Sequence, residues 1–355
     1  MVVRAVLSLA IGGYLFWLLS KGGMAFMPPD DAWARYDWWG VAGFVLLWLV
    51  GTFLRSYRWV HLLRPIEPNV STVRALAVSL LGYAALFAPM RMGELVRPTM
   101  IARDRQVGFV QAAGTVVAER IVDGVVLTVI LALALWSSTP VEPPLERVGD
   151  LVLPVKLVPG IAMASLALFL GAFLAMVLFY FWRALAHRVV FAVVGVVSKP
   201  LAELVTRQVD RISDSLSFLL SRKHGVAFVR DTLLYWAVSA VSFMLLLRSA
   251  GAPATLAQAC VTIGVLGLGT ALPGPPGFYG TYQLACYCGI AMFYPDRVLS
   301  SGVMFTFIGY CTQLAIAVLC LGAGLWLLAR TQQPVVVAKP LAQPGSGGLV
   351  SESSR

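Results

Sequence analysis

The stretch from residue 157 to residue 182 contains no charged side chain, and it is one of several long apolar runs in the chain. A helix of about 20 such residues crosses the hydrocarbon core of a bilayer. In lipid the backbone must satisfy its own N–H and C=O groups, so apolar runs of this length form helices that pack as a bundle. Of the 355 residues, 59% are hydrophobic and 12% charged, about half the charged share of an ordinary soluble domain. The expected fold class is therefore an all-α polytopic membrane protein. The net charge of +10 then reads as basic loops facing anionic lipid, not as a nucleic-acid surface.

Six full spans are expected. Residues 2–20 form the first, read as uncleaved because no small-residue cleavage site follows it. Residues 38–54 form the second and open on Trp38 and Trp39, which suit a membrane interface. Residues 109–136, 157–182, 232–247 and 303–329 supply the others. Arg55, Arg58, Arg64 and Arg74 make the loop at 55–74 more basic than the one before it, which holds Lys21 and Arg35. That places 55–74 in the cytoplasm. The basic segment 183–223 falls on the same side, and its part 201–219 has the apolar spacing of an amphipathic surface helix.

Two further apolar stretches are too short to span. Residues 75–88 would rise about 21 Å as a helix, against a core of about 30 Å. They end at Pro89 and run straight into charge. Residues 257–272 and 279–293 flank Pro273-Gly274-Pro275-Pro276-Gly277, which no regular helix passes through. Each region is expected to be a re-entrant hairpin, the first entering from the cytoplasm and the second from outside. Each half of the chain, about 1–140 and 155–330, then holds two spans, one hairpin and one span, in opposite orientation. This is the order of an inverted repeat in one transmembrane domain over 1–330, with a tail at 331–355 of disordered composition. In such repeats the broken helices meet at a site near the midplane.

The segment 88–124 concentrates charge where the chain can least accommodate it. Arg91, Glu94 and Arg97 are spaced three apart, and Glu119, Arg120 and Asp123 open the apolar run 125–136. An ionisable group inside hydrocarbon costs roughly 2.5–3.5 kcal/mol on insertion scales. On one helix Glu119 and Asp123 share a face, and Arg120 reaches Asp123 at i, i+3. The arginines suit a headgroup phosphate, since guanidinium forks match phosphate geometry. The carboxylates would balance them, attract a cationic headgroup or carry a proton. The same residues also suit a purely structural ion network that ties down an interfacial loop. At the second break, Pro273, Gly274, Gly277, Thr281, Tyr282 and Gln283 place polar groups beside an interrupted helix, for substrate or for interhelical hydrogen bonds. The aromatics of the spans, Phe169 among them, read as core or lipid-facing.

Nothing in the sequence points to an enzyme. No GxSxG, HExxH, phosphate-loop or DxD motif occurs, and His61, His187 and His224 lack ligand spacing. The five cysteines lie in apolar runs without a CxxC pair. No catalytic residue, metal ligand or cofactor is assigned.

Three motifs in order carry a resemblance. They are Pro89-x-Arg91-x-Gly93-Glu94-x-x-Arg97, Glu119-Arg120-x-x-Asp123-Gly124, and Pro273-Gly-Pro-Pro-Gly277-x-x-Gly280-Thr281-x-Gln283. Over about residues 41–329 the chain resembles the lysylphosphatidylglycerol synthase transmembrane-region, or flippase-like, family. The resemblance implies a multi-pass protein of the bacterial inner membrane that moves a lipid between leaflets, its cargo a phospholipid or a polyprenyl-linked lipid. It also leaves room for a non-catalytic membrane partner of a separate lipid- or glycan-modifying enzyme. A transferase acting on the lipid is disfavoured by the missing catalytic motifs, and the aminoacyl transfer of relatives fused to a synthetase is not expected, because only a short tail follows. Pro275 departs from the glycine-rich break expected of the family.

Overall fold

The computed structural model describes residues 36–88, 93–103, 107–148, 151–182, 198–219, 221–271 and 275–331, with isolated positions outside these ranges. The expected first span, the tail beyond 331, and the candidates Arg91, Pro273 and Gly274 lie outside the described residues or nearly so.

Helix α1, Trp38–Tyr57, starts where the Asp37 side chain accepts from the N–H of Trp39 at 3.1 Å. It does not stop at residue 54. Arg58 keeps helical dihedrals and leads directly into α2, Trp59–Leu63. Together they make an apolar run of 26 residues, Trp38–Leu63. The expected loop therefore begins later, because the segment Trp59-Val-His-Leu-Leu63 is apolar and all five of its residues are buried. Helix α3 (Thr72–Ala85) is capped by Ser71, and α4 (Gly93–Ala102) follows a break. Helix α5, Phe109–Ser137, has 29 residues and carries Glu119, Arg120 and Asp123 in its interior. After a short antiparallel β-ribbon, β1 (Arg147–Val148) with β2 (Leu151–Val152), comes α6, Val158–Phe181.

Helix α7, Lys199–Ser215, occupies the expected amphipathic segment and packs on α5. Helix α8 spans Arg222–Ser249 and runs along α1. Then come α9 (Leu256–Ala271), α10 (Thr281–Ala291) and α11 (Ser301–Thr331). By length and composition, four stretches among the described residues are long and apolar enough to cross a membrane: Trp38–Leu63, Val155–Phe181, Arg222–Ser249 and Ser301–Thr331.

The two interrupted regions are helix–break–helix pairs whose arms pack on each other, α3 with α4 and α9 with α10. Small residues let the second pair press against α5. A methyl group on Gly264 would lie 2.9 Å from Leu131 Cβ, and one on Gly267 would lie 2.6 Å from Leu127 Cδ2. Such close approach is how helices pack where apolar burial alone gives no drive. The second break turns through left-handed backbone, with φ of +69° at Gly277, +59° at Phe278 and +85° at Gly280. At Phe278 that conformation costs about 1–2 kcal/mol, so the surroundings must enforce it.

Among the described residues the two larger apolar clusters make most of the core, and a small third one joins Tyr83 of α3 to Ile316, Ala317 and Cys320 of α11. Of the larger two, one joins α1, α5, α8, α9, α10 and α11 around Phe44, Phe243 and Phe305. The other joins α2, α3, α5 and α8 around Trp59, Leu62 and Phe228. Helix α5 contributes Leu127 and Leu131 to the first and Ala112, Val116 and Ala118 to the second. Its charged residues lie between them.

Candidate headgroup cavity

Glu119 is fully buried and accepts from three guanidinium groups. Arg58 Nη2 lies 3.1 Å from Oε1, Arg120 Nη2 2.6 Å from the same oxygen, and Arg97 Nη2 2.6 Å from Oε2. Asp123 takes Arg58 at 2.6 Å and Arg120 at 3.6 Å through Oδ2. Its Oδ1 has no partner among the described residues. Arg58 is itself 0% exposed and donates its other terminal nitrogen to Thr232 Oγ1 at 3.1 Å. Arg97 stacks on Trp59, 4.4 Å from the ring centroid, and the Trp59 indole donates to Thr115 at 3.0 Å. Four helical segments are tied together here, because ionised groups in a medium of low dielectric must pair, although the Nε of Arg58, Arg97 and Arg120 has no partner among the described residues.

A cavity of about 360 Å³ opens beside this network. One part is polar, lined by Arg55, Glu94, Arg120 and Asp123. The other is apolar, lined by Leu127, Phe169, Ile263 and Leu266. A narrower recess of about 20 Å³ continues past Arg55 and Glu94 to Ser79 and Arg97. Phe169 reaches the wall because Gly124 has no side chain; a Cβ there would collide with its ring.

The two breaks meet at this cavity. The N–H of Gly277 donates to the carbonyl of Phe87 at 2.9 Å, and the Phe87 and Phe278 rings stand edge to face at 5.6 Å. Phe87, Phe278 and Tyr282 all line the cavity. The structure thus brings Glu94, Arg97, Glu119, Arg120 and Asp123 to one place, with Tyr282 in the same cavity wall. Gly277 sits in the latch, where an added Cβ would lie 3.0 Å from the Tyr310 hydroxyl. Thr281 and Gln283 serve the break itself. Thr281 Oγ1 donates to the carbonyl of Phe278 at 2.9 Å, and Gln283 Oε1 accepts from the N–H of Gly280 at 2.7 Å.

Two arginines of this site look like loop residues in the sequence. Arg55 and Arg58 were counted there as markers of the cytoplasmic side, whereas Arg58 is the most buried cation of the network and Arg55 lines the cavity. The signal for Arg58 was the apolar continuation at Trp59–Leu63, which makes a loop beginning at 55 implausible. Among the described residues no group of three or more His, Cys, Asp or Glu comes together to hold a metal ion.

The family model described as the lysylphosphatidylglycerol synthase TM region matches residues 5–334. The chain belongs to this family. As a lysylphosphatidylglycerol synthase TM-region protein it is a multi-pass membrane protein, in agreement with its apolar helices. Neither the curated proteins nor the solved structures contain a match to it.

Proposed function

We propose that this lysylphosphatidylglycerol synthase TM-region protein moves a phospholipid or polyprenyl-linked lipid between the leaflets of the bacterial inner membrane, with no chemical step of its own. The observation that carries this reading is the latch between the two breaks, Gly277 N–H to Phe87 C=O at 2.9 Å, at the edge of a cavity that is charged on one side and apolar on the other. An amphiphile needs both sides. A headgroup desolvates against Arg120 and its neighbours, while a chain or glycerol carbon rests on Phe169, Leu127 and Ile263.

In this reading the chain has six spans, cytoplasmic termini and two re-entrant hairpins of opposite sense, related as an inverted repeat. Irregular backbone at membrane depth is tolerated where it lines a cavity. Parting and closing the latch alternates access to the two leaflets.

The test is a leaflet-resolved lipid assay in proteoliposomes, run beside thermal unfolding. Arg120→Ala, whose side chain is 28% exposed, is expected to fold and to lose lipid movement. Movement at the wild-type rate in that variant would make the charged site purely structural.

A further inference from the structure

Among the described residues, the cations of the network are already engaged. Arg97 is 8% exposed, bound to Glu119 at 2.6 Å and stacked on Trp59. Arg58 spends both terminal nitrogens on Glu119, Asp123 and Thr232. Arg120 is shared between Glu119 and Asp123.

Arg55 is different. It projects from α1 into the large cavity and into the recess behind it. Among the described residues no carboxylate pairs with it; its marked neighbour is the ring of Tyr83, 6.0 Å from the guanidinium. A guanidinium does not lose its proton in a protein. Around the cavity the described residues set four guanidiniums, of Arg55, Arg58, Arg97 and Arg120, against three carboxylates, of Glu94, Glu119 and Asp123, which leaves an excess of one positive charge. A half-buried cation facing a partly apolar cavity is stabilised by an anion that enters it.

We infer that Arg55 is the residue that takes the phosphate of a phosphodiester lipid headgroup, with Arg120 as its second donor. The cavity has the volume of a small-ligand site, and its apolar side, Phe169, Leu127 and Ile263, receives the first carbons of the lipid. This rests on the reading of the cavity as a headgroup site. It places the leading binding charge on α1, outside all three sequence motifs, with Arg120 alone drawn from them. It also explains why Arg97 can stay locked to Glu119 without costing the site its anion preference.

The experiment is a lipid titration of the full chain in detergent, read by native mass spectrometry. The probes are phosphatidylmethanol, a minimal phosphodiester lipid, and diacylglycerol with the same tails. The wild type is expected to prefer phosphatidylmethanol at least about tenfold, which corresponds to about 1.4 kcal/mol. Arg55→Gln is expected to lose that preference and to keep its affinity for diacylglycerol. Arg55→Lys, which keeps the charge, is expected to retain the preference within about threefold. Wild-type preference in Arg55→Gln overturns the inference, and so does loss of preference in an Arg55→Lys protein that melts as the wild type does. Excess glycerol phosphate should not displace the lipid; displacement would assign the site to free phosphate esters and overturn the lipid source. Binding and movement are separate readouts. A wild type that binds phosphatidylmethanol and moves no lipid refutes translocation alone, whereas an Arg55→Gln variant that moves lipid normally refutes the role of Arg55 alone.

Discussion

The guanidinium of Arg58 lies 2.6 Å from the carboxylate of Asp123 and ties the α1–α2 run to α5 beside the cavity. Both groups are desolvated, so removing one leaves the other without its closest partner. Arg58→Met is expected to destabilise the protein by about 3 kcal/mol or more. Arg58→Lys should fall between the two, because an ammonium cannot span both carboxylates and Thr232 in one plane. Thermal unfolding in detergent measures both, and wild-type melting of Arg58→Met would remove this pair from the stability of the fold.

Glu119 and Asp123 should differ in consequence. Glu119 serves three guanidiniums and is fully buried; Asp123 serves two and keeps one oxygen free. Glu119→Gln therefore strands more positive charge than Asp123→Asn. The expected order of melting temperature is wild type, then Asp123→Asn, then Glu119→Gln, with a gap of about 1–3 kcal/mol between the variants. The reverse order would show that Asp123 is the anchor of the network.

Gly277→Ala tests the second break. Its φ of +69° costs a side-chain residue about 1–2 kcal/mol, and the new methyl group would lie 3.0 Å from the Tyr310 hydroxyl. Tyr310→Phe in the same chain removes the contact and leaves the backbone cost. The double variant should recover part of the lost stability and no more. Full recovery would mean that the left-handed conformation carries no cost here.

Orientation is open to single-cysteine labelling, in a background where the five native cysteines, Cys311 being the exposed one, are replaced. Leu145→Cys, in the segment between α5 and α6, should react with impermeant reagent from outside the cell only. Val205→Cys, on α7, should react from the cytoplasm only. Labelling of either from the opposite side would reverse the proposed topology.

The charged helix α5 was legible because Glu119, Arg120 and Asp123 stand in an apolar run and their i, i+3 and i, i+4 spacing puts them on one face. The breaks were legible for a similar reason, since the sequence sets Pro89 and the run from Pro273 to Gly277 beside short apolar stretches, and proline cannot continue a helix. Partnership across the fold was not. Arg58 reads as one of four loop arginines until Trp59–Leu63 is seen to continue the helix and the bundle sets it against α5. Phe169 reads as another core or lipid-facing aromatic, and only the missing side chain of Gly124 on a different helix admits its ring to the cavity wall. Local chemistry is written in the chain, whereas long-range pairing depends on packing that no single stretch encodes.

The bond from Gly277 to Phe87 involves no side chain. Any rearrangement that separates the two breaks leaves one amide hydrogen and one carbonyl oxygen bare at that spot, a penalty of about 1–3 kcal/mol for each unless something polar replaces the lost partner. Hydrocarbon cannot do so; water or a headgroup can. In the proposed function, the seal would therefore respond to what fills the cavity. Under that reading its own backbone would hold it shut in a dry cavity, and a hydrated polar guest would lower the barrier to its opening. A wild-type protein of this design would leak little in the absence of cargo without any residue devoted to preventing the leak.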